Sequence, residues 1–114
     1  MASDFIIVGA GIVGLSTAYR LQQEYPDADI LVLEKEKRVA AHQTGNNSGV
    51  IHSGIYYEPG SYKAKNCVEG RHQLVEFCRR YDIKHEICGK VIVASEDDDP
   101  SRLNDIYETG LINN

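Results

Sequence analysis

The residues with the clearest chemical spacing are Gly9-Ala10-Gly11-Ile12-Val13-Gly14 and Glu34, an acid 20 positions beyond the last of these glycines. Gly9 permits a tight turn out of a strand. Gly11 removes a Cβ where a backbone must come close to a pyrophosphate, and Gly14 lets a helix pack closely on a sheet. The N–H groups along this turn would face an anion at the positive end of a helix dipole. Glu34 can accept hydrogen bonds from ribose hydroxyls, and its charge would repel a 2′-phosphate. The glycine pattern alone is a weak signal. Its place between an apolar run, Phe5-Ile6-Ile7-Val8, and a helix-suited run from Leu15 to Leu21, with Glu34 beyond, makes it a dinucleotide-binding fingerprint. The bland alternative is a glycine-rich turn with no ligand.

Beyond Glu34 the chain changes character. Glu34-Lys35-Glu36-Lys37-Arg38 suits a solvated turn, with Lys35 and Arg38 in reach of the adenosine end of a nucleotide. From Val39 to Tyr57 there is no Asp, Glu, Lys or Arg. The segment is rich in glycine and in small hydrogen-bonding side chains. Such a stretch suits a backbone lying along a large, partly apolar ligand, although an ordinary polar loop has a similar composition.

These residues need elements to position them. A strand is expected from Asp4 to Val8 and a helix from Gly11 to Tyr25, which Pro26 ends. Ile30-Leu31-Val32-Leu33 is apolar throughout, as in a parallel strand covered on both faces. The result is a βαβ unit with Glu34 at the carboxyl end of its second strand, where ligands bind in open α/β sheets. Ser61 is placed to cap a second long helix, with an apolar face of Ala64, Cys67, Val68, Leu74, Val75, Cys78 and Tyr81. Lys63, Lys65, Arg71, Arg79 and Arg80 fall mainly elsewhere and are expected to be solvated. Ile87 to Ala94 is a strand candidate, followed by an acidic loop from Glu96 to Asp99. Asp99-Pro100 reads as an N-cap and first helical position, leading into a helix with Leu103, Ile106, Tyr107 and Leu111 on one face.

Composition bounds the function class. The 114 residues are 42% hydrophobic and 25% charged, with a net charge of −5, as in a globular domain able to bury a core. There is no basic footprint for nucleic acid. No stretch approaches the length of a transmembrane helix, and Met1-Ala2-Ser3-Asp4 enters the first strand without a secretory signal. Cys67, Cys78 and Cys88 are odd in number and lack CxxC spacing, so they read as reduced packing thiols with no metal site. The expected compartment is the cytoplasm, and contact at the periphery of the inner membrane is compatible with it. A dinucleotide fold needs more parallel strands than this length supplies, so the chain is expected to be the N-terminal part of a larger, truncated domain.

The glycine turn, the run from His42 to Tyr57, Pro59-Gly60-Ser61, Lys63-Ala64 and Cys88-Gly89-Lys90 occur in this order. Together they resemble the L-2-hydroxyglutarate oxidase/dehydrogenase family, FAD enzymes of the D-amino-acid-oxidase-like (DAO) group. The glycine turn is generic to that group, and the run from His42 to Tyr57 is far more specific. Asn46 stands where many members are expected to carry His. The resemblance implies a Rossmann-like FAD-binding βαβ unit with the beginning of a second, substrate-side region, within a protein of about four hundred residues.

It also implies the reaction, oxidation of L-2-hydroxyglutarate to 2-oxoglutarate by hydride transfer from C2 to the flavin while a base takes the hydroxyl proton. By matched position, Gly9, Ala10, Gly11, Ile12, Val13 and Gly14 would hold the pyrophosphate and Glu34 the adenosine ribose. His42, Thr44, Asn47, Ser48 and Gly49 would line the middle of FAD, with Val50 to Tyr56 running toward the isoalloxazine. Within this chain His52 is the candidate base, because an imidazole can titrate near neutral pH. A histidine that only hydrogen-bonds the flavin, and a base from another part of the protein, are the alternatives. His72 and His85 read as solvated. The dicarboxylate needs cations that this uncharged segment lacks, so arginines or lysines elsewhere would recognise it. The electron acceptor could be oxygen, a quinone or an electron-transfer protein.

Two other readings fit parts of the sequence. Glu34 allows an NAD-dependent dehydrogenase, against which the uncharged segment argues, because an NAD fold would proceed to another helix. A non-catalytic nucleotide-binding module would follow if the 114 residues were the whole product.

Overall fold

The computed structural model describes residues 2–95 and 99–113. They form two compact units, the first ending at Gly49 and the second beginning at Val50.

In the first unit the two apolar runs become β1 (Phe5–Val8) and β2 (Ile30–Leu33), separated by α1 (Ile12–Glu24). The strands pair in parallel, Phe5 with Ile30 through Val8 with Leu33. Gly9, at φ +100°, turns the chain out of β1 while its N–H still reaches the Leu33 carbonyl at 2.7 Å. Few residues other than glycine tolerate that angle. A Cβ on Gly14 would collide with the Gly9 carbonyl and lie 3.4 Å from Ile7 Cγ2. Gly14 therefore does what its position predicted, seating α1 directly on the turn and the sheet. At the other end of α1 the Tyr25 N–H bonds Leu21 O before Pro26 stops the helix, and the Tyr25 ring packs on Phe5 at 5.5 Å.

Alternation along both strands half-buries Phe5, Ile7, Ile30 and Val32 on the helix side and leaves Ile6, Val8, Leu31 and Leu33 exposed. The expectation of a β2 covered on both faces is thus corrected. Only α1 is available to cover the sheet in this unit, so an all-apolar strand shows one bare apolar face. The same shortage of layers limits the core. Among the described residues only Ala10, Ala64 and Cys78 are buried hydrophobic residues, and all are small.

The second unit holds α2 (Tyr62–Arg80) and α3 (Pro100–Asn113). Ser61 Oγ accepts the Ala64 N–H at 3.2 Å, the N-cap expected of it. The buried side of α2 is Ala64, Cys67, Val68, Arg71, Val75 and Cys78. Leu74 and Tyr81, expected on that side, are exposed, and the stem of Arg71 takes the intervening turn instead. Asp99 caps α3 through Oδ1, which accepts the Ser101 N–H at 2.9 Å. This bond is the main reason that its pKa falls below the ordinary aspartate value. The face of α3 differs from expectation. Ile106, Thr109, Gly110 and Asn113 are half-buried, while Leu103, Tyr107 and Leu111 stay exposed. Two contacts select this face. A Cβ on Gly110 would lie 3.5 Å from Ile55, and Asn113 Nδ2 donates to the Gly54 and Tyr57 carbonyls at 3.1 and 2.8 Å.

Ile87 to Ala94 forms no strand. Strands exist as ladders, and no described segment pairs with this one, so Val91 and Val93 are more than four-fifths exposed. Of the expected acidic loop, Glu96, Asp97 and Asp98 lie outside the described residues. Cys67, Cys78 and Cys88 are free thiols. No described helix is long and apolar enough to cross a membrane.

Candidate functional site

At the carboxyl ends of β1 and β2 a cleft of about 350 Å³ opens between the glycine turn and the loop after β2. Gly9, Gly11, Glu34, Lys35, His42 and Thr44 are among the residues that line it. The volume sits at the low end of the range for small-molecule sites, about 300 to 1,000 Å³, and suits one half of a dinucleotide.

The N–H groups of the turn divide into two sets. Ala10 N–H donates to Glu34 Oε2 at 2.8 Å, and Ile12 N–H donates to Thr44 Oγ1 at 2.9 Å. Among the described residues no acceptor meets the N–H groups of Gly11, Val13 or Gly14, all at the N-terminus of α1. This end of α1 has no acidic side chain in its first turn. It offers free donors and a positive dipole end, the chemistry that takes a phosphate.

Glu34 is ordered from two sides. Besides Ala10, its Oε1 accepts the Glu36 N–H at 3.0 Å. The Ala10 bond and then the Glu36 bond hold its pKa below the usual glutamate value, with a smaller contribution from His42. The group is therefore an anionic acceptor at neutral pH, with lone pairs left for a diol. His42 Nε2 lies 3.0 Å from Glu36 Oε1, so that nitrogen carries a proton toward the carboxylate. Lys35 Nζ approaches the same oxygen at 4.0 Å, an exposed pair of little energetic weight.

The uncharged run begins as a loop that holds itself. A single 3₁₀ turn spans Gln43–Gly45. Asn46 Nδ2 donates to the His42 carbonyl at 2.7 Å, and Asn47 bridges Thr44 O and Gly49 N, each at 2.6 Å. Asn47 thus spends both ends of its amide on the loop, whereas Ser48 is exposed. A Cβ on Gly45 would strike the Ala40 carbonyl, and Gly49 adopts φ +67°. Of the residues singled out in the sequence, Gly9, Gly11, Glu34, Lys35, His42 and Thr44 line the cleft, Ala10 and Ile12 are bonded to its lining, and Val13 and Gly14 follow in the first turn of α1. Asn47, Ser48 and Gly49 continue the same loop.

Val50 and His52 belong to the second unit, where both are exposed. The His52 carbonyl accepts from Cys67 Sγ at 3.4 Å, which fixes the main chain of this segment on α2. Its neighbour Gly54 is buried at φ +87°, with Cys67 and Val68 3.5 Å from where a Cβ would stand. Tyr56 and Tyr57 carry cations over their rings, Lys90 at 4.4 Å and Lys63 at 4.8 Å.

Two contributors escaped the sequence reading. Glu36, in a charge run that suits a solvated turn, orders both Glu34 and His42. Ala40, at φ +56°, donates its N–H to the Ala10 carbonyl at 3.0 Å and ties the loop to the glycine turn. The mixed charge run marked the neighbourhood of the first, and nothing in the sequence marks the second.

Comparison with known proteins places these features in a wider group. The family described as "DAO: FAD dependent oxidoreductase" matches residues 4–113. A protein of Indibacter alkaliphilus named L-2-hydroxyglutarate dehydrogenase is 56% identical over 99% of this chain and 28% of its own length. The human protein named L-2-hydroxyglutarate dehydrogenase, mitochondrial, is 56% identical over 96% of the chain and 24% of its length. An Escherichia coli K12 protein named L-2-hydroxyglutarate dehydrogenase is 48% identical over 96% and 26%. The chain spans about a quarter of the length of these curated relatives.

Proposed function

The chain belongs to the DAO family of FAD dependent oxidoreductases, and on that premise we propose that it forms the adenosine and pyrophosphate half of the FAD site in a longer enzyme that oxidises L-2-hydroxyglutarate to 2-oxoglutarate. The observation that carries the cofactor reading is the cleft at the strand ends, lined by Gly9, Gly11 and Glu34, beside an α1 N-terminus whose Gly11, Val13 and Gly14 N–H groups meet no acceptor among the described residues. The substrate rests on the printed names of the relatives.

The residues present fit the cofactor. Gly14 leaves no room for a Cβ, so α1 starts hard against the turn, with its first donors beside Gly9 and Gly11 of the cleft. Those donors would hold the pyrophosphate, and Glu34 the adenosine ribose, with Lys35 beside it. His42, Thr44, Asn47, Ser48, Gly49 and Val50 complete the expected cofactor set. When bound, FAD supplies the acceptor for the hydride that leaves C2. His52 is our candidate for the group that takes the hydroxyl proton. Recognition of the substrate carboxylates and the choice of oxygen, a quinone or an electron-transfer protein as electron acceptor fall to parts beyond this segment. We place the protein in the cytoplasm, on the strength of its three free thiols. The human relative is named mitochondrial.

The deciding experiment is the absorbance spectrum of the full-length protein before and after anaerobic addition of L-2-hydroxyglutarate. A flavin spectrum that bleaches supports the proposal. A colourless protein that binds NADH saturably would replace it with an NAD enzyme.

A further inference from the structure

The N-terminus of α1 lacks a cap of its own. Its N-cap is Gly11, which has no side chain. The first helical amide, Ile12 N–H, is met instead by Thr44 Oγ1 at 2.9 Å, from 32 residues further along the chain. A second bond, Ala40 N–H to Ala10 O at 3.0 Å, joins the same two segments. The fit is tight, because a Cβ on Gly11 would lie 3.2 Å from the Thr44 oxygen. Thr44 is itself fixed from behind, since its carbonyl accepts Asn47 Nδ2 at 2.6 Å within a loop braced by Asn46.

From this geometry we propose that Thr44 is a positioning residue, a cap supplied from a distance that pins the loop of Ala40 to Gly45 to the head of α1. Two consequences follow. The loop becomes a wall of the cleft, to which it contributes Ala40, His42 and Thr44. The Ile12 amide is withdrawn from ligand binding, so that Gly11, Val13 and Gly14 are left for the pyrophosphate. Thr44 then shapes the cofactor site through α1 without being a ligand of the cofactor, a role different from the one its sequence position implied. The inference rests on the FAD reading for its functional half only. The cap is a property of the protein without flavin.

The test compares Thr44→Val and Thr44→Ser in the full-length protein stripped of flavin. Amide exchange is read at Ile12 and in β1 and β2, and FAD affinity is read by quenching of flavin fluorescence. Thr44→Val removes the acceptor with little change of shape. It should speed Ile12 exchange and weaken FAD binding, each by about 2- to 30-fold, the range set by loss of an N-cap. Protection in β1 and β2 should persist, and Thr44→Ser should restore both quantities. Weaker FAD binding with unchanged Ile12 exchange makes Thr44 a direct ligand and overturns the proposal. So does failure of Thr44→Ser to restore protection, or the absence of any change in Thr44→Val. If the wild-type protein binds no FAD, the cofactor reading fails, and the exchange data still decide the cap.

Discussion

The Glu34 carboxylate accepts the Ala10 N–H at 2.8 Å and so joins the end of β2 to the glycine turn across 24 residues of sequence. The bond favours the ionised acid and is the largest cause of its lowered pKa. The unfolded chain therefore takes up this proton at a higher pH than the folded one. The stability it contributes is fully present above the unfolded value and is lost as pH falls through the depressed folded value. A ¹³C titration of the Glu34 carboxyl should give a midpoint below 4.5. Glu34→Gln should remove this part of the acid sensitivity, and Glu34→Ala should weaken FAD binding by about tenfold or more. A midpoint at or above the ordinary value would contradict the bond.

Much of the first unit was legible in the sequence because its signals are local. Gly9 and Gly14 mark a turn, the runs at Phe5 and Ile30 mark strands, and Pro26 marks a stop. The links that complete the cleft were not, because each joins residues far apart through atoms of little sequence identity. Thr44 reaches Ile12 through a hydroxyl, and Ala40 reaches Ala10 through main chain alone. In the second unit Ile106 alone of the apolar residues expected on one face of α3 is half-buried. Two hydrogen bonds of Asn113 and the close approach at Gly110 select a face that leaves Leu103, Tyr107 and Leu111 exposed. The candidate strand at Ile87 failed for want of a partner, which its own residues could not reveal.

Gly14 and Gly70 make a controlled pair. A Cβ at Gly14 meets the Gly9 main chain, which cannot move without opening the turn, whereas one at Gly70 in α2 meets nothing within 4 Å. Gly14→Ala should cost about 1 to 3 kcal/mol, as overpacking does, and reduce FAD binding. Gly70→Ala should raise stability by about 0.5 to 1 kcal/mol through helix propensity. Urea unfolding of the two variants measures both, and equal shifts of the same sign would refute the packing argument.

His52 separates catalysis from cofactor retention. If it takes the substrate proton, His52→Gln should lower kcat by about 100-fold or more, with flavin content unchanged. A loss under tenfold would assign His52 to hydrogen bonding and move the base elsewhere in the protein.

Asn113 holds the turn that follows His52. Its amide donates to both the Gly54 and Tyr57 carbonyls from a half-buried position, and within that turn the Tyr57 N–H bonds Gly54 O at 3.1 Å. Removing the donor leaves two carbonyls facing a space that water enters only partly. Asn113→Ala should therefore destabilise the full-length protein by about 1 to 3 kcal/mol. Asn113→Asp should be worse, because an acceptor then faces two acceptors. Exchange at the Tyr57 amide reports the turn directly and should speed up in both variants, more in the second. Exchange that stays at the wild-type rate in Asn113→Asp would mean that the turn stands on its own hydrogen bond and on the packing of Gly54 against α2.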